Sequence, residues 1–116
     1  MARYGETFPV STSVARLSNA CRMALPGSGW KIMADNGWAF LIKERLDLVG
    51  MMLTYPTKFA IFLREDEDDP KKTVVELKGA TFGFGPLPKG KLRKKTLELR
   101  AMIEGMAKQR IAEPED

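Results

Sequence analysis

The hydrophobic period changes several times along the chain, and the order of those changes restricts what it can fold into. Residues 3–10, RYGETFPV, place Tyr4, Phe8 and Val10 at alternate positions, the period of a half-buried strand, and Pro9 marks an edge or a strand end. The period then lengthens. Val14, Leu17, Cys21 and Leu25 recur at helical spacing and predict a helix over about residues 12–25, with Ser11 and Ser13 as N-cap candidates. Pro26, Gly27 and Gly29 end it. GWKIMADNGWAFLIKE returns to alternation and reads as a hairpin: Trp30, Ile32 and Ala34 on one strand, Trp38, Phe40 and Ile42 sharing a face of the other. Asp35-Asn36-Gly37 between them predicts a type I′ turn, because Asn-Gly accepts positive φ. A looser segment from Glu44 to Tyr55 ends at Pro56.

KFAIFLRE is the next strand, with Phe59, Ile61 and Leu63 on one face. Ala60 and Phe62 on the other face suggest that both sides are covered. EDEDDPKK is a turn. TVVELKGATF is the last strand, with Val75 and Leu77 inward, and Gly79 marks a bulge or a close neighbour. A long helix is expected over about residues 90–111, with Leu92, Leu99, Ile103 and Met106 on its apolar face and residues 112–116 frayed.

The order strand, helix, four strands, helix predicts an α+β fold: an antiparallel sheet with a long C-terminal helix packed on one face. At 116 residues the chain suits one domain spanning its whole length. TFPVSTSVARLSNACRMALPGSGWKI resembles the first strand, helix and Gly-Trp entry of the Bet v1-like (START-type, helix-grip) proteins, within the wider TBP-like group. KTVVELKGATFG before the terminal helix resembles the last strand of that family. The resemblance covers most of the chain and lies in topology and pattern. It implies a ligand or partner held between the sheet and the C-terminal helix.

Composition removes several chemistries. The chain has no histidine and one cysteine, Cys21, which excludes the usual zinc sites, Cys/His nucleophile pairs and Ser-His-Asp triads. Cys21 falls on the buried helix stripe and reads as an inert core thiol. Asp35, Glu44 and Asp47 are carboxylates available for acid–base work, but their spacing does not require it. No catalytic constellation, metal site or cofactor motif is visible, and a non-enzymatic role is expected. A lone thiol, an N-terminus without an apolar signal core and the lack of a spanning apolar run lead to the expectation of a cytoplasmic protein with no membrane span.

Two motifs fail on inspection. GPLPKGKL, residues 85–92, places Gly85, Gly90 and Lys91 as a phosphate-binding P-loop would. However, Pro86 and Pro88 supply no N–H donor, and Leu92 stands where a magnesium-binding hydroxyl belongs. EDEDDPKKTVVE places Glu65, Glu67, Asp69 and Glu76 in a calcium-loop register, but Pro70 replaces the required glycine and strands flank it. A solvated hairpin tip is the simpler reading.

The net charge is +4, from 19 basic and 15 acidic residues, and the bases concentrate at the start of the terminal helix. Lys89, Lys91, Arg93, Lys94 and Lys95 crowd an end where positive charge opposes the helix dipole, at a cost of about 0.3–1 kcal/mol for each well-placed charge. They are candidates for binding an anion or an acidic partner. An adaptor that uses this basic face against nucleic acid or an acidic protein is the alternative function, although the helix carries no aromatic to stack on bases. The first reading is a domain that binds an apolar small molecule or a protein partner between sheet and helix. Its lining is assigned to Trp38, Phe40, Phe59, Ile61, Leu77, Leu99, Ile103 and Met106, with the basic cluster as a rim. Trp30, Phe62, Phe82, Phe84, Met33, Met51 and Met52 are further apolar candidates, with simple core as the competing assignment. Self-association through a sheet edge into a homodimer is a third reading.

Overall fold

The computed structural model describes residues 2–46, 56–83 and 85–112, with side chains as far as residue 108. Asp47, Met51, Met52 and Phe84 lie outside the described residues. The elements are β1 (Ala2–Val10), α1 (Val14–Ala24), β2 (Trp30–Asp35), β3 (Ala39–Glu44), β4 (Lys58–Glu65), β5 (Thr73–Thr81) and α2 (Pro86–Ala112). The strands form one antiparallel sheet in the order β1-β5-β4-β3-β2. The α+β order read from the periodicity is the order observed.

Local chemistry sets the first crossover. Ser13 caps α1, its hydroxyl accepting from the Arg16 N–H at 3.4 Å, which satisfies one of the orphan donors of the first turn. The helix cannot pass Pro26. A 3₁₀ turn (Pro26–Ser28) follows, and Gly29, at φ 88°, swings the chain into β2.

Both helices pack on one face of the sheet. Phe8, Phe40, Ile42, Phe59, Ile61, Val75 and Leu77 cover that face and meet Leu17, Cys21 and Leu25 of α1 and Leu92, Leu99 and Ile103 of α2. Each is at most 2% exposed. Burying such a side chain contributes about 1.5–3 kcal/mol, and this layer is the main source of stability. Among the described residues no helix is long and apolar enough to cross a membrane.

Three expectations need correction. The β2–β3 turn is not type I′. Gly37 has φ 89°, but no non-glycine among the described residues has positive φ, so Asn36 does not supply the first left-handed position. Instead Asp35 pairs with Phe40 across a longer loop. Asn36 Oδ1 accepts from the N–H groups of Trp38 (3.2 Å) and Ala39 (2.8 Å), and Asp35 Oδ1 accepts from Gly37 N–H (2.9 Å). Trp38 therefore belongs to the loop, at 56% exposure, and does not join Phe40 and Ile42 in the core.

The second correction concerns GPLPKGKL. Most of it is helix rather than loop, since α2 starts at Pro86. The missing N–H groups of Pro86 and Pro88, which disqualify a phosphate cradle, cost nothing in a first helical turn. Third, β4 is not covered on both faces. Ala60 and Phe62 are only half-buried, and the neighbouring Leu41 is exposed.

The Gly79 signal resolves as a close neighbour. A Cβ there would lie 2.8 Å from Leu92 Cδ1 and 2.9 Å from Phe59 Cζ, both in the core. The missing side chain lets α2 settle on β5. Gly79→Ala is expected to destabilise the fold by about 1–3 kcal/mol, the usual cost of overpacking. Urea denaturation of the two proteins at neutral pH checks this, and equal midpoints would contradict the packing.

Candidate functional site

Alternation along β3 puts Phe40, Ile42 and Glu44 on the same inward face. The third member of that set is a carboxylate. Glu44 is only 9% exposed and needs partners to remain charged there. Lys91 Nζ lies 3.3 Å from Oε1, Lys95 Nζ lies 3.1 Å from Oε2, and the Thr57 N–H donates to Oε1 at 3.2 Å. The two lysines are one helical turn apart on α2, so one carboxylate meets both. Burial alone would raise the Glu44 pKa. The hydrogen bonds from Lys95 and Thr57 and the charges of Lys91 and Lys95 outweigh it, and the carboxyl is held below its ordinary 4.5. Thr57 pairs with the Glu44 backbone too, accepting from its N–H at 2.8 Å, while the Thr57 hydroxyl is buried without a partner.

Trp30 stands directly across the β2–β3 ladder from Glu44. Its ring meets Phe59 edge-on, with centroids 5.5 Å apart and an interplanar angle of 81°. Between these strand ends and the middle of α2 lies a cleft of about 240 Å³. Trp30, Leu99 and Met102 give it apolar walls, and Ser28, Glu44, Arg45, Lys95 and Glu98 give it a polar rim.

A second ion pair fixes the other flank of α2. Arg100 donates to Glu6 Oε1 at 2.6 Å, and its guanidinium lies 4.7 Å from the Phe8 ring centroid. Tyr4 also donates to Glu6, at 3.0 Å. The Arg100 hydrogen bond is the main reason that the Glu6 carboxyl is held below its ordinary range.

The residues assigned from sequence divide sharply. Phe40, Phe59, Ile61, Leu77, Leu99, Ile103 and Met106 come together, but as packed core. Of these, only Leu99 also faces the cleft. Trp38 does not reach them. The basic cluster splits according to the helical period: Lys91 and Lys95 turn inward to Glu44, while Lys89, Arg93 and Lys94 are exposed. The residues that shape the opening are Trp30, Glu44, Arg45 and Met102, which the sequence reading did not assemble. The available signal was Glu44, a carboxylate at an inward strand position. Phe82 and Met33 are exposed, and the residue 65–72 tip is a turn in which Asp66 accepts from Asp68 N–H and Asp69 from Lys71 N–H. Among the described residues no group of three or more ligating side chains could hold a metal. Cys21 is buried, and burial pushes its thiol up to about 12, so it is not a thiolate at neutral pH.

Comparison with known proteins rests on shape alone. No family model and no curated protein sequence matches the chain. Solved structures do. The three-dimensional structure of a protein from Nitrosospira multiformis aligns with TM-score 0.60 at 12% identity, covering 92% of this chain and 94% of its own. The Bet v1 allergen Ara h 8.0201 aligns with TM-score 0.58 at 13% identity, covering 96% and 98%. The fold is Bet v1-like. XoxI from Bacillus cereus agrees, with TM-score 0.54 at 12% identity over 94% and 95% of the two chains. In this Bet v1-like frame the cleft sits between the sheet and the long C-terminal helix.

Glu44 and Glu6 both have folded pKa values below their unfolded value of 4.5. Each therefore adds stability that is fully present above pH 4.5 and is lost as pH falls through the lower folded value. Glu44→Gln is expected to cost about 1.5–3 kcal/mol at neutral pH, the scale of a charge-assisted hydrogen bond. Its deficit against the parent should shrink as the pH is taken below 4.5. Denaturant melts of both proteins across that range measure it, and a deficit that does not change with pH would contradict the ion-pair account.

Proposed function

We propose that this chain is a small, non-enzymatic ligand-binding domain, and that its ligand enters the cleft between the start of β2, the end of β3 and α2. The observation that carries the reading is the composition of that cleft. Trp30, Leu99 and Met102 form an apolar wall beside a rim of fixed charges. A ligand pocket has this design: an apolar body with a few placed polar groups. The Bet v1-like fold is consistent with it.

The cleft's 240 Å³ falls below the roughly 300–1,000 Å³ of a drug-sized pocket. It suits a small amphiphile, or one end of a larger one. The apolar part would lie against Trp30 and Met102. An anionic head would meet Arg45 and Lys95, which line the same rim. Binding rather than turnover fits the chemistry, because the acid at the mouth, Glu44, is held ionised by two lysines and is poorly placed to donate or accept a proton near neutral pH.

The test is a titration with 8-anilinonaphthalene-1-sulfonate, an apolar ring system with an anionic head, alongside native mass spectrometry of the purified protein. The parent should enhance the dye's emission saturably. Met102→Trp, which fills the cleft, should weaken binding at least tenfold while leaving the melting temperature within a few degrees. Equal dye binding by the two proteins would rule the cleft out as the site. A small molecule released on denaturation would identify the natural ligand class.

A further inference from the structure

The outer face of the sheet, opposite the helices, carries a row of cations that the sequence conceals. Lys31 pairs in register with Lys43, and Lys43 with Lys58, on β2, β3 and β4. All three alternate with inward core residues and therefore point away from the helices. The same row continues through Ala80 of β5 to Arg3 of β1. With strands about 4.8 Å apart it spans roughly 19 Å. Among the described residues no carboxylate forms an ion pair with Lys31, Lys43, Lys58 or Arg3.

Folding does not call for this arrangement. Like charges directly opposite one another on a sheet face are destabilising. A lysine on an edge strand can protect against edge-to-edge pairing, which accounts for Lys31 on β2. That reason does not extend to Lys43 and Lys58, which stand on interior strands. Shallow hollows lie at both ends of the row. One, of about 300 Å³, is lined by Lys31, Lys43 and Arg45 together with Leu46 and Pro56, and Glu44 closes its inner side. The other, of about 560 Å³, runs between Arg3 and Lys78 over Gly5 and Ala80. The next row along the strands is small and apolar at its centre, where Leu41 pairs with Ala60.

We propose that this end of the outer sheet face binds a single-stranded nucleic acid, with its phosphates along Lys31, Lys43, Lys58 and Arg3 and its bases over Leu41 and Ala60. A straight line of cations with no ion-pair partner among the described residues matches the phosphates of a linear polyanion, and the adjoining apolar strip gives its bases van der Waals contact. An anionic bilayer fits less well. A sheet lying flat on one would also press Glu76, on the same outer face, against the negative surface. The hollow at one end of the row shares Glu44 and Arg45 with the cleft, but Lys31, Lys43, Lys58 and Arg3 do not line the cleft, so variants at the row test this reading apart from the ligand reading.

Fluorescence anisotropy with a labelled oligothymidylate of about twelve nucleotides tests the proposal. Four phosphate contacts predict a log–log salt slope of about −3. Replacing Lys31, Lys43 and Lys58 together by Gln should weaken binding about a hundredfold at about 0.1 M salt and flatten the slope to about −0.7. Lys89→Gln with Lys94→Gln, on the exposed face of α2, should leave affinity within twofold. Folding is checked independently: Lys43→Glu, placed between two lysines, should raise the melting temperature while weakening binding. Any of three results with the oligonucleotide overturns the proposal: no binding at about 50 mM salt, equal affinity of the triple variant, or loss of binding in the α2 variant instead. Tighter binding to phosphatidylserine vesicles than to the oligonucleotide would overturn it in favour of a membrane surface.

Discussion

A carboxylate buried at the end of β3 dictates where the C-terminal helix must lie. Glu44 could not remain charged at 9% exposure without compensation, and α2 supplies it through two ammonium groups one turn apart. The ion pair fixes the helix in rotation and along its length, because only one register offers both lysines to the same carboxylate. Hydrophobic burial supplies most of the free energy but tolerates sliding; the paired charges do not. On the other flank, Arg100 and Glu6 tie the same helix to β1. The helix thus lies across the sheet between an anchor on β3 and an anchor on the edge strand β1. The cleft is the space that this placement leaves beside Trp30.

The fold was legible because it depends on short-range periodicity. Five strands and two helices appear in the predicted order, and β4 ends at the residues where its alternation ends. What was not legible depended on other kinds of information. The turn after Asp35 went astray because the Asn36 side chain takes over backbone hydrogen bonds, an option that the Asn-Gly pair does not reveal. The start of α2 was placed late because two prolines look like a loop, although a first helical turn tolerates them.

The site was harder to read than the fold. Most of the large apolar residues assigned to a pocket proved to be the core itself. A chain of 116 residues needs nearly all of them to bury enough surface. The basic run at residues 89–95 looked like one cluster in sequence, yet the helix turns Lys91 and Lys95 inward on one face and leaves Lys89, Arg93 and Lys94 exposed on the other. Conversely, Lys31, Lys43 and Lys58 are separated by 12 and 15 positions and become neighbours only once strand register is known. Charge clusters within a helix can be read from a sequence, whereas clusters across a sheet require the pairing.

Gly79 has a reach beyond its own position. The absent side chain lets Leu92 and the Phe59 ring close over β5, and Phe59 in turn backs Trp30, the wall of the cleft. The helix rests on that point much as a beam rests on a fulcrum. Whatever thickens the fulcrum lifts the beam, and the lift is felt where the helix passes Trp30. The volume of the cleft is therefore governed from a strand that does not line it. Exchanging the one small residue at this contact would change that volume with the charged rim left as it is.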